Sequence, residues 1–453
     1  MQKFSQWIGG AAALAVLTMA STTCWAQGTA AAPPQKAVKD QAEFDLFDAV
    51  KKDLLQNNGA KAVTDLDAWK QHNPDSAFKD DREVMYIQAY QMAKDWGKLL
   101  DKAKELMSKD LDAMFPDPAQ GPKQVIPVYF GAVTAASSLQ NPTPEQLAIG
   151  VEAAHKILDY KRAPSDVAPA AWATAKKQLD DASNAMLYRA AILPAMEAQT
   201  KRDWPAAEAA WTKAMGDYPN KAMIAYNLGV ALRAQNKHDQ AIWQFARAVG
   251  IDPTLEGTAN GTTITNFVKT YYRNLHGAED GLDQIEQQAK AGASPPAGFH
   301  VPTAQEIAEA KQKEFETSHP DIALWMKLKA TLTSDQGQQY FDSGMKGAQV
   351  PELTGTVLES ACRAKELKVA VPLPDATGAP TAEITLKLVN DAGAASALPG
   401  KADSGRVTFV GVAEAFTKDP FMLTMTIDKK DIKDLKVTPC AAAPARKGVT
   451  KKK

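Results

Sequence analysis

The sequence predicts a multidomain α + β protein, in which an α-solenoid of helical hairpins precedes a small five-stranded β-barrel or sandwich. From about residue 41 to 290, apolar residues recur at steps of three and four, which is the spacing of helices with one buried face. After residue 350, apolar residues alternate with polar or small ones, which is typical of half-buried strands. A chain of 453 residues is long enough for both parts to bury a core of their own.

Changes in period and composition divide the chain into six predicted segments. Stretches rich in Ala, Gly and Pro mark most of the boundaries. In chain order the segments are a signal peptide (1–26), a flexible leader (27–40), the α-solenoid (41–290), a linker with capping helices (291–350), the small β-domain (351–440) and a basic disordered tail (441–453).

The N-terminus has the layout of a secretory signal peptide. Lys3 precedes an apolar run from Trp7 to Ala20, and small residues follow up to Ala26, after which cleavage is expected. The run is too short for a membrane span that persists after processing. We therefore expect export to the periplasm. An alternative makes Cys24 a lipid-modified N-terminus, although the preceding Ser-Thr-Thr is a poor match to the usual lipoprotein pattern.

Residues 41–290 are predicted to form about six helical hairpins. Thr143 and Gln146 have the spacing of a capping box at the start of one helix. Two separate helices, Ala168–Ala182 and Tyr188–Lys201, are expected to lead into the middle of the solenoid.

The predicted linker, residues 291–350, contains two short helical patterns. Thr303 and Glu306 form a second capping box that opens a charged helix, and a helix at Ile322–Ala330 follows. These helices are expected to cap the solenoid or to act as a spacer.

One stretch, from Tyr188 to Pro253, contains the same packing pattern twice, 34 residues apart. Small residues let two helices approach closely, an aromatic residue fills the space beside them, and a proline ends the helix. The residues that carry the pattern are Ala207, Trp211, Ala214 and Pro219 in the first copy, and Leu228, Gly229, Ala241, Phe245, Ala248 and Pro253 in the second.

This pattern resembles the tetratricopeptide repeat, a helix-turn-helix unit of 34 residues. The second copy, Ala222–Leu255, matches the repeat well, whereas the first has Pro194 and Ala195 in place of its Leu-Gly pair. A repeat cannot bury its apolar face alone, so degenerate hairpins are expected beside a good copy.

The resemblance implies a groove for a peptide or a partner surface, lined by the first helix of each hairpin. Asn227 lies where family members with a carboxylate clamp place a peptide-holding asparagine. Such a clamp also needs cations from neighbouring helices, and only Lys269 and Arg273 on the following helix are candidates. A structural role for Asn227 is therefore favoured. The implied groove residues are Met223, Tyr226, Asn227, Val230 and Arg233.

Three further residues of this region have predicted positions. Trp204 and Trp243 flank turns or outer helix faces, which makes them candidates for half-exposed contacts with a partner. His238 is expected in a turn, facing water.

The C-terminal pattern predicts five strands, and their number and spacing weakly resemble an OB-fold barrel. One-sided strands should close on themselves to hide their apolar face, with a sandwich as the alternative. The predicted strands lie at Leu353–Leu358, Leu367–Val371, Ile384–Leu388, Val407–Phe409 and Leu423–Ile427.

Removal of the signal peptide leaves two cysteines, Cys362 and Cys440. Because the predicted compartment is oxidising, a disulfide between them is expected, with two free buried thiols as the alternative.

Motifs for catalysis, metal binding or cofactor binding are absent from the sequence. The six histidines are too far apart to suggest a metal pair, and no phosphate-binding loop, dinucleotide fingerprint or nucleophile elbow occurs. Lys plus Arg number 52 and Asp plus Glu 53, so no global field attracts nucleic acid. No cofactor, metal or nucleic-acid partner is therefore predicted.

The combined patterns predict an exported, non-enzymatic scaffold that binds a protein partner through the groove. The alternative is an envelope enzyme or a carbohydrate-binding protein with a cleft where solenoid and β-domain meet, around Pro302–Val350. Paired catalytic carboxylates need a cleft that shifts their pKa values, and a sequence does not reveal one.

Overall fold

The computed structural model describes residues 36–358, 360–371, 373 and 377–440. The predicted signal peptide with Cys24, most of the leader and the basic tail lie outside these residues. The described chain forms two compact units, which divide between Val301 and Pro302 and are here called unit 1 and unit 2.

Unit 1 is helical, and most of its helices pack as successive hairpins. The pairs are α1/α2, α3/α4, α6/α7, α8/α9 and α10/α11, with the short α5 between the second and third pairs, whereas α12 and α13 each pack against α11. The helices are α1 (Gln41–Leu55), α2 (Gly59–His72), α3 (Lys79–Ala93), α4 (Trp96–Met107), α5 (Leu111–Met114), α6 (Gly121–Ser138), α7 (Pro144–Asp159), α8 (Pro169–Thr200), α9 (Trp204–Asp217), α10 (Ala222–Ala234), α11 (His238–Ile251), α12 (Gly261–His276) and α13 (Leu282–Ala291).

Side chains cap several of these helices. The capping box predicted at α7 is confirmed, since the Thr143 hydroxyl accepts from the Gln146 amide N–H and the Gln146 side chain accepts from the Thr143 amide N–H. Asp95 and Asp203 cap α4 and α9 in the simpler way, by accepting one backbone N–H.

The two helices predicted before the repeat are in fact one helix, α8, of 32 residues. The residues between the two predicted helices, 183–187, include no glycine or proline that would end a helix. Pro194 lies inside α8, where it removes one backbone hydrogen bond without ending the helix. The first half of α8 contributes Leu179 to one core cluster, and the second half contributes Ile192 to the next.

A half-buried and a buried arginine bind the carboxyl ends of helices in unit 1. Arg189 donates to the carbonyls of Ala136 and Ser137, at the end of α6. Arg247, which is 3% exposed, donates to the carbonyls of Ala289 and Lys290, at the end of α13. The last carbonyls of a helix have no partner within the helix, so each guanidinium satisfies groups that would otherwise be buried unpaired.

Unit 2 begins with a helical stretch, part of which packs against the unit's own sheet. These helices are α14 (Ala304–Ser318), α15 (Pro320–Thr333) and α16 (Gly337–Tyr340), followed by a π-helical turn (Phe341–Met345). Trp325 and Phe341 are buried among the apolar side chains of the strands. Glu383 accepts from the Trp325 indole at 2.9 Å and pairs with Lys329, which ties α15 to the sheet. The capping box at Thr303 and Glu306 is confirmed.

The β part of unit 2 is an open sheet, so the predicted five-stranded barrel is wrong. Seven strands form a mixed sheet in the order β6-β7-β3-β2-β1-β5-β8, and β4 pairs with β9 in a second, two-stranded sheet. β3 and β7 are parallel, while the other pairs are antiparallel. The strands are β1 (Leu353–Val357), β2 (Glu366–Ala370), β3 (Ile384–Val389), β4 (Gly400–Ala402), β5 (Gly405–Phe409), β6 (Val412–Lys418), β7 (Phe421–Asp428), β8 (Ile432–Lys433) and β9 (Val437–Pro439).

Closure is unnecessary because helices cover apolar side chains of the large sheet. Trp325, Leu332, Phe341 and Met345 share one core cluster with the inward side chains of the strands. The opposite face carries alternating polar residues such as Thr354 on β1.

The disulfide predicted between Cys362 and Cys440 is present, with their Cα atoms 6.0 Å apart. It joins the loop after β1 to the end of β9.

Candidate partner-binding surface

The repeat residues form the contact between the helices of the fourth and fifth hairpins. Ala207, Trp211, Ala214, Ala241, Phe245 and Ala248 are all buried. Gly229 on α10 faces the Phe245 ring so closely that a Cβ atom there would lie 2.7 Å from Phe245 Cδ1. Leu228 is buried beside Gly229, and Pro219 and Pro253 lie in the turns that follow α9 and α11.

One stripe of α10 lies beside these contacts and is not fully buried by them. Tyr226 and Val230 are half-buried and Arg233 is exposed. Positions four and three residues apart share a helix face, so the three side chains form a continuous surface. Met223, a fourth predicted groove residue, is only 8% exposed and adds little to it.

Aromatic rings from α12 extend the surface, and the buried Phe245 ring of α11 contacts them. The Tyr226 ring lies 5.5 Å from Phe245 and 6.1 Å from Phe267, measured between centroids. Phe267 and Tyr271 are half-buried and stand one turn apart on α12. We call Tyr226, Val230, Arg233, Phe267 and Tyr271 the aromatic surface.

The Arg233 guanidinium is fixed on this aromatic surface. Its central carbon lies 5.5 Å from the Phe267 centroid and 5.4 Å from the Tyr271 centroid, which is cation–π distance. Burial raises the pKa of the Tyr226 and Tyr271 hydroxyls, while the positive charge of Arg233 acts in the opposite direction. Both hydroxyls therefore stay protonated at neutral pH and can donate hydrogen bonds.

Asn227 lies in a hydrogen-bond network inside the protein. The Trp211 indole donates to Gln199 Oε1 at 2.9 Å, and Gln199 Nε2 donates to Asn227 Oδ1 at 3.2 Å. Asn227 Nδ2 donates in turn to the carbonyl of Met223 at 2.8 Å. The amide thus links α8, α9 and α10, which supports the structural role favoured by the sequence.

The cations considered for a clamp have contacts elsewhere. Arg273 pairs with Glu279 at 3.2 Å, at the turn between α12 and α13. The charge of Lys269 acts on Glu286 of α13, where it partly offsets the rise in pKa that burial and Asp283 cause. A clamp of the family type, made of Asn227 with these two cations, is therefore not formed in the described structure.

A loop not singled out by the sequence lies next to α10. Leu255, Glu256 and Gly257 have positive φ values of 50°, 56° and 76°, a run that side chains other than glycine adopt rarely. Asp252 holds the loop by accepting the Glu256 amide N–H at 2.8 Å. Glu256 accepts the backbone N–H of Met223 at 3.4 Å and so caps the N-terminus of α10 from a distance.

The predictions for Trp243 and His238 are wrong, because later parts of the chain pack on both. Trp243 is covered by residues 292–301, here called the return segment, which lie along α11, and His238 is in contact with α12. The Trp243 indole donates to the carbonyl of Gly292, and its ring lies 5.1 Å from Phe299 in an edge-to-face contact. Trp243 is therefore 2% exposed. His238 is half-buried, with Nδ1 2.8 Å from the Tyr271 hydroxyl.

Trp204, the other tryptophan considered for a partner contact, is half-buried and packs against the core cluster that α8 to α13 share.

Other kinds of site find no support in the part of the chain that the structure describes. No group of three or more His, Cys, Asp and Glu side chains is arranged to hold a metal ion there. None of the described helices is long and apolar enough to cross a membrane.

Comparison with solved structures finds similar chains. The chain is similar to a chain of the TPR2AB-domain:pHSP90-complex of yeast Sti1, at 16% sequence identity over 55% of this chain and 98% of that chain, with a TM-score of 0.22. No protein-family model and no curated protein matches the sequence. The tetratricopeptide-like character of unit 1 rests on its own hairpins and on the repeated contacts of α9 and α11.

Proposed function

We propose that this protein is an exported, non-enzymatic scaffold whose unit 1 binds a protein partner in the periplasm through the aromatic surface. The observation that carries the proposal is the stripe Tyr226–Val230–Arg233 together with Phe267 and Tyr271. These side chains combine three half-buried aromatic rings with an exposed arginine, and such residues are enriched where proteins bind one another.

The hairpin architecture supports this use of the surface. Each hairpin buries its packing residues against its neighbours, so the first helices are left with faces that the solenoid does not need for its own core. The aromatic side chains are also held rigidly by ring contacts, which lowers the entropy lost when a partner orders them.

Export is supported by two features. The N-terminal sequence has the pattern of a signal peptide. The disulfide between Cys362 and Cys440 is of a kind that persists in oxidising compartments.

Photo-cross-linking in intact cells tests the proposal. A photoreactive amino acid replaces Val230, at the centre of the surface, and covalent adducts are identified by mass spectrometry. We expect a discrete protein adduct in periplasmic extracts that is lost when Tyr226→Ala and Arg233→Ala are added. A matched control places the photoreactive residue at Lys213, an exposed position on α9.

Two results would contradict the proposal. One is a set of adducts that is the same at positions 213 and 230. The other is an adduct at 230 that persists unchanged in the Tyr226→Ala, Arg233→Ala background although that variant remains folded.

A further inference from the structure

Arg233 is an exposed cation that has been positioned without a counter-ion. Among the described residues, no carboxylate lies within ion-pair distance of its guanidinium, although exposed cations elsewhere in unit 1 commonly have one, as Arg273 has Glu279. Its contacts are with the ring faces of Phe267 and Tyr271, which leave the N–H groups of the fork without a protein acceptor.

The contacts that hold this guanidinium in place favour recognition of a carboxylate. Stacking on two rings restricts the long side chain, so less rotamer entropy is lost when a partner binds it. A planar guanidinium forms two parallel hydrogen bonds to a carboxylate, and charge-assisted bonds of this type are about twice as strong as neutral ones. Nearby rings exclude water from one side and reduce the screening of the charge.

The rest of the stripe is apolar. Tyr226 and Val230 precede Arg233 on the same face of α10, and a helix rises about 1.5 Å per residue. The apolar part of the stripe therefore extends from about 4.5 Å to about 10 Å from Arg233 along the helix axis. A partner that covers the stripe has to present apolar side chains next to its acidic one.

Asn227 argues against recognition of a chain terminus. Its amide is committed to Gln199 and to the carbonyl of Met223, and the Arg273 cation is paired with Glu279. The groups that hold a terminal carboxylate in a clamp are therefore occupied by internal contacts.

We propose that Arg233 is the specificity-determining residue of the aromatic surface, and that it binds an internal acidic side chain, flanked by apolar residues, in a peptide segment of the partner. This inference rests on the proposed function and adds the chemistry of the partner segment to it. The C-terminal carboxylate of the partner plays no part.

Selection from a random peptide library tests this chemistry without knowledge of the partner. Twelve-residue peptides displayed on phage are selected against the full chain, and the enriched peptides are synthesised with an amidated C-terminus. We expect enrichment of Asp or Glu beside apolar residues. Affinity should fall at least tenfold when Arg233→Gln is introduced in the protein or when the acidic residue of the peptide is replaced by its amide.

Further variants separate charge from geometry. Arg233→Lys keeps the charge but loses the planar fork, so it should recover only part of the affinity. Arg233→Glu should instead bind the peptide whose acidic residue is changed to lysine. Arg273→Gln removes an arginine charge from an exposed ion pair and should leave affinity unchanged. Equal melting temperatures of the Arg233 variants and the wild type show that the fold is retained.

Three outcomes would overturn the inference. Peptides that bind through Tyr226 but are indifferent to Arg233→Gln would refute it while leaving the proposed function intact. A tenfold gain in affinity from a free C-terminal carboxylate on the peptide would refute it as well, because the partner would then be held by its chain terminus, as in a clamp. No enriched peptides, or peptides indifferent to both Tyr226→Ala and Arg233→Gln, would refute the inference and count against the function as well.

Discussion

Gly229 is the residue on which the close contact of α10 with α11 depends. A methyl group at this position would lie 2.7 Å from Phe245 Cδ1, and the ring is buried on all sides. We expect Gly229→Ala to lower the free energy of unfolding by about 1–3 kcal/mol, the usual range for overpacking. Urea unfolding followed by tryptophan fluorescence measures the change.

Gly216 provides the matched control for that substitution. It also lies in a helix, but nothing is within 4 Å of a Cβ atom added there. Gly216→Ala should therefore raise stability by up to about 1 kcal/mol, since only backbone entropy and helix propensity change. Equal effects of the two substitutions would contradict the packing role of Gly229.

Glu286 on α13 should make stability depend on pH. Burial and the neighbouring Asp283 raise the pKa of its carboxyl group above the ordinary value of 4.5. At pH values between the unfolded and folded pKa, the folded protein binds more protons than the unfolded chain. The contribution of the Glu286 proton to the free energy of unfolding is therefore complete below about pH 4.5 and is lost as the pH rises through the folded-state pKa.

Replacing Glu286 by Gln tests this dependence. The variant cannot titrate at this position, so its free energy of unfolding should rise relative to the wild type as the pH increases from 4.5 to 7. Paired urea titrations at several pH values give the difference. A constant difference across that range would show that the carboxyl group is not perturbed.

At the level of residues, the sequence predicts packing contacts within one repeat but not the contacts made by segments distant in the chain. The alanines, Trp211 and Phe245 follow from spacing within one repeat, because helix geometry alone sets which positions face each other. The sequence predicts a surface position for Trp243 because the return segment, about 50 residues later, shows no periodicity that would bring it back to α11.

At the scale of elements, the end of α13 depends on Arg247. Its guanidinium bonds to the carbonyls of Ala289, Lys290 and Pro219 while nearly fully buried. We expect Arg247→Lys to lower the free energy of unfolding by about 1–3 kcal/mol, because an ammonium group cannot reach all three and leaves a buried carbonyl unpaired. Chemical denaturation measures the loss.

Arg273→Lys is the control for charge-conserving replacement. Arg273 is exposed and makes a single ion pair with Glu279, and such pairs contribute little. Its replacement should change stability by less than about 0.5 kcal/mol. A similar small effect at Arg247 would mean that the carbonyls do not depend on the guanidinium.

Whether an element was predictable depended on how strongly one face is buried. β3 and β7 alternate regularly and were found, whereas β6 is an edge strand whose residues are mostly exposed, so it lacks the apolar alternation that identifies a strand. The same limit explains why the predicted five-stranded barrel is wrong. Periodicity shows that strands have one apolar face but not that α15 and the π-helical turn cover it.

At the scale of the whole molecule, each unit has a hydrophobic core of its own. The core of unit 2 consists of the apolar side chains of its sheet with Trp325 and Phe341, and the clusters of unit 1 are formed by its hairpins. We therefore expect two unfolding transitions in calorimetry of the full chain, because residues within one core unfold cooperatively.

Two perturbations assign the transitions to the units. The disulfide spans a sequence separation of 78 residues within unit 2, and closing such a loop stabilises the folded state by about 4–5 kcal/mol in the chain-entropy account. A reducing agent should thus lower only the midpoint of unit 2, and Gly229→Ala only that of unit 1. In the double variant Cys362→Ser, Cys440→Ser, the midpoint of unit 2 should already be lowered, and the reducing agent should not change it further. A single transition that both perturbations shift equally would instead mean that the two cores unfold as one.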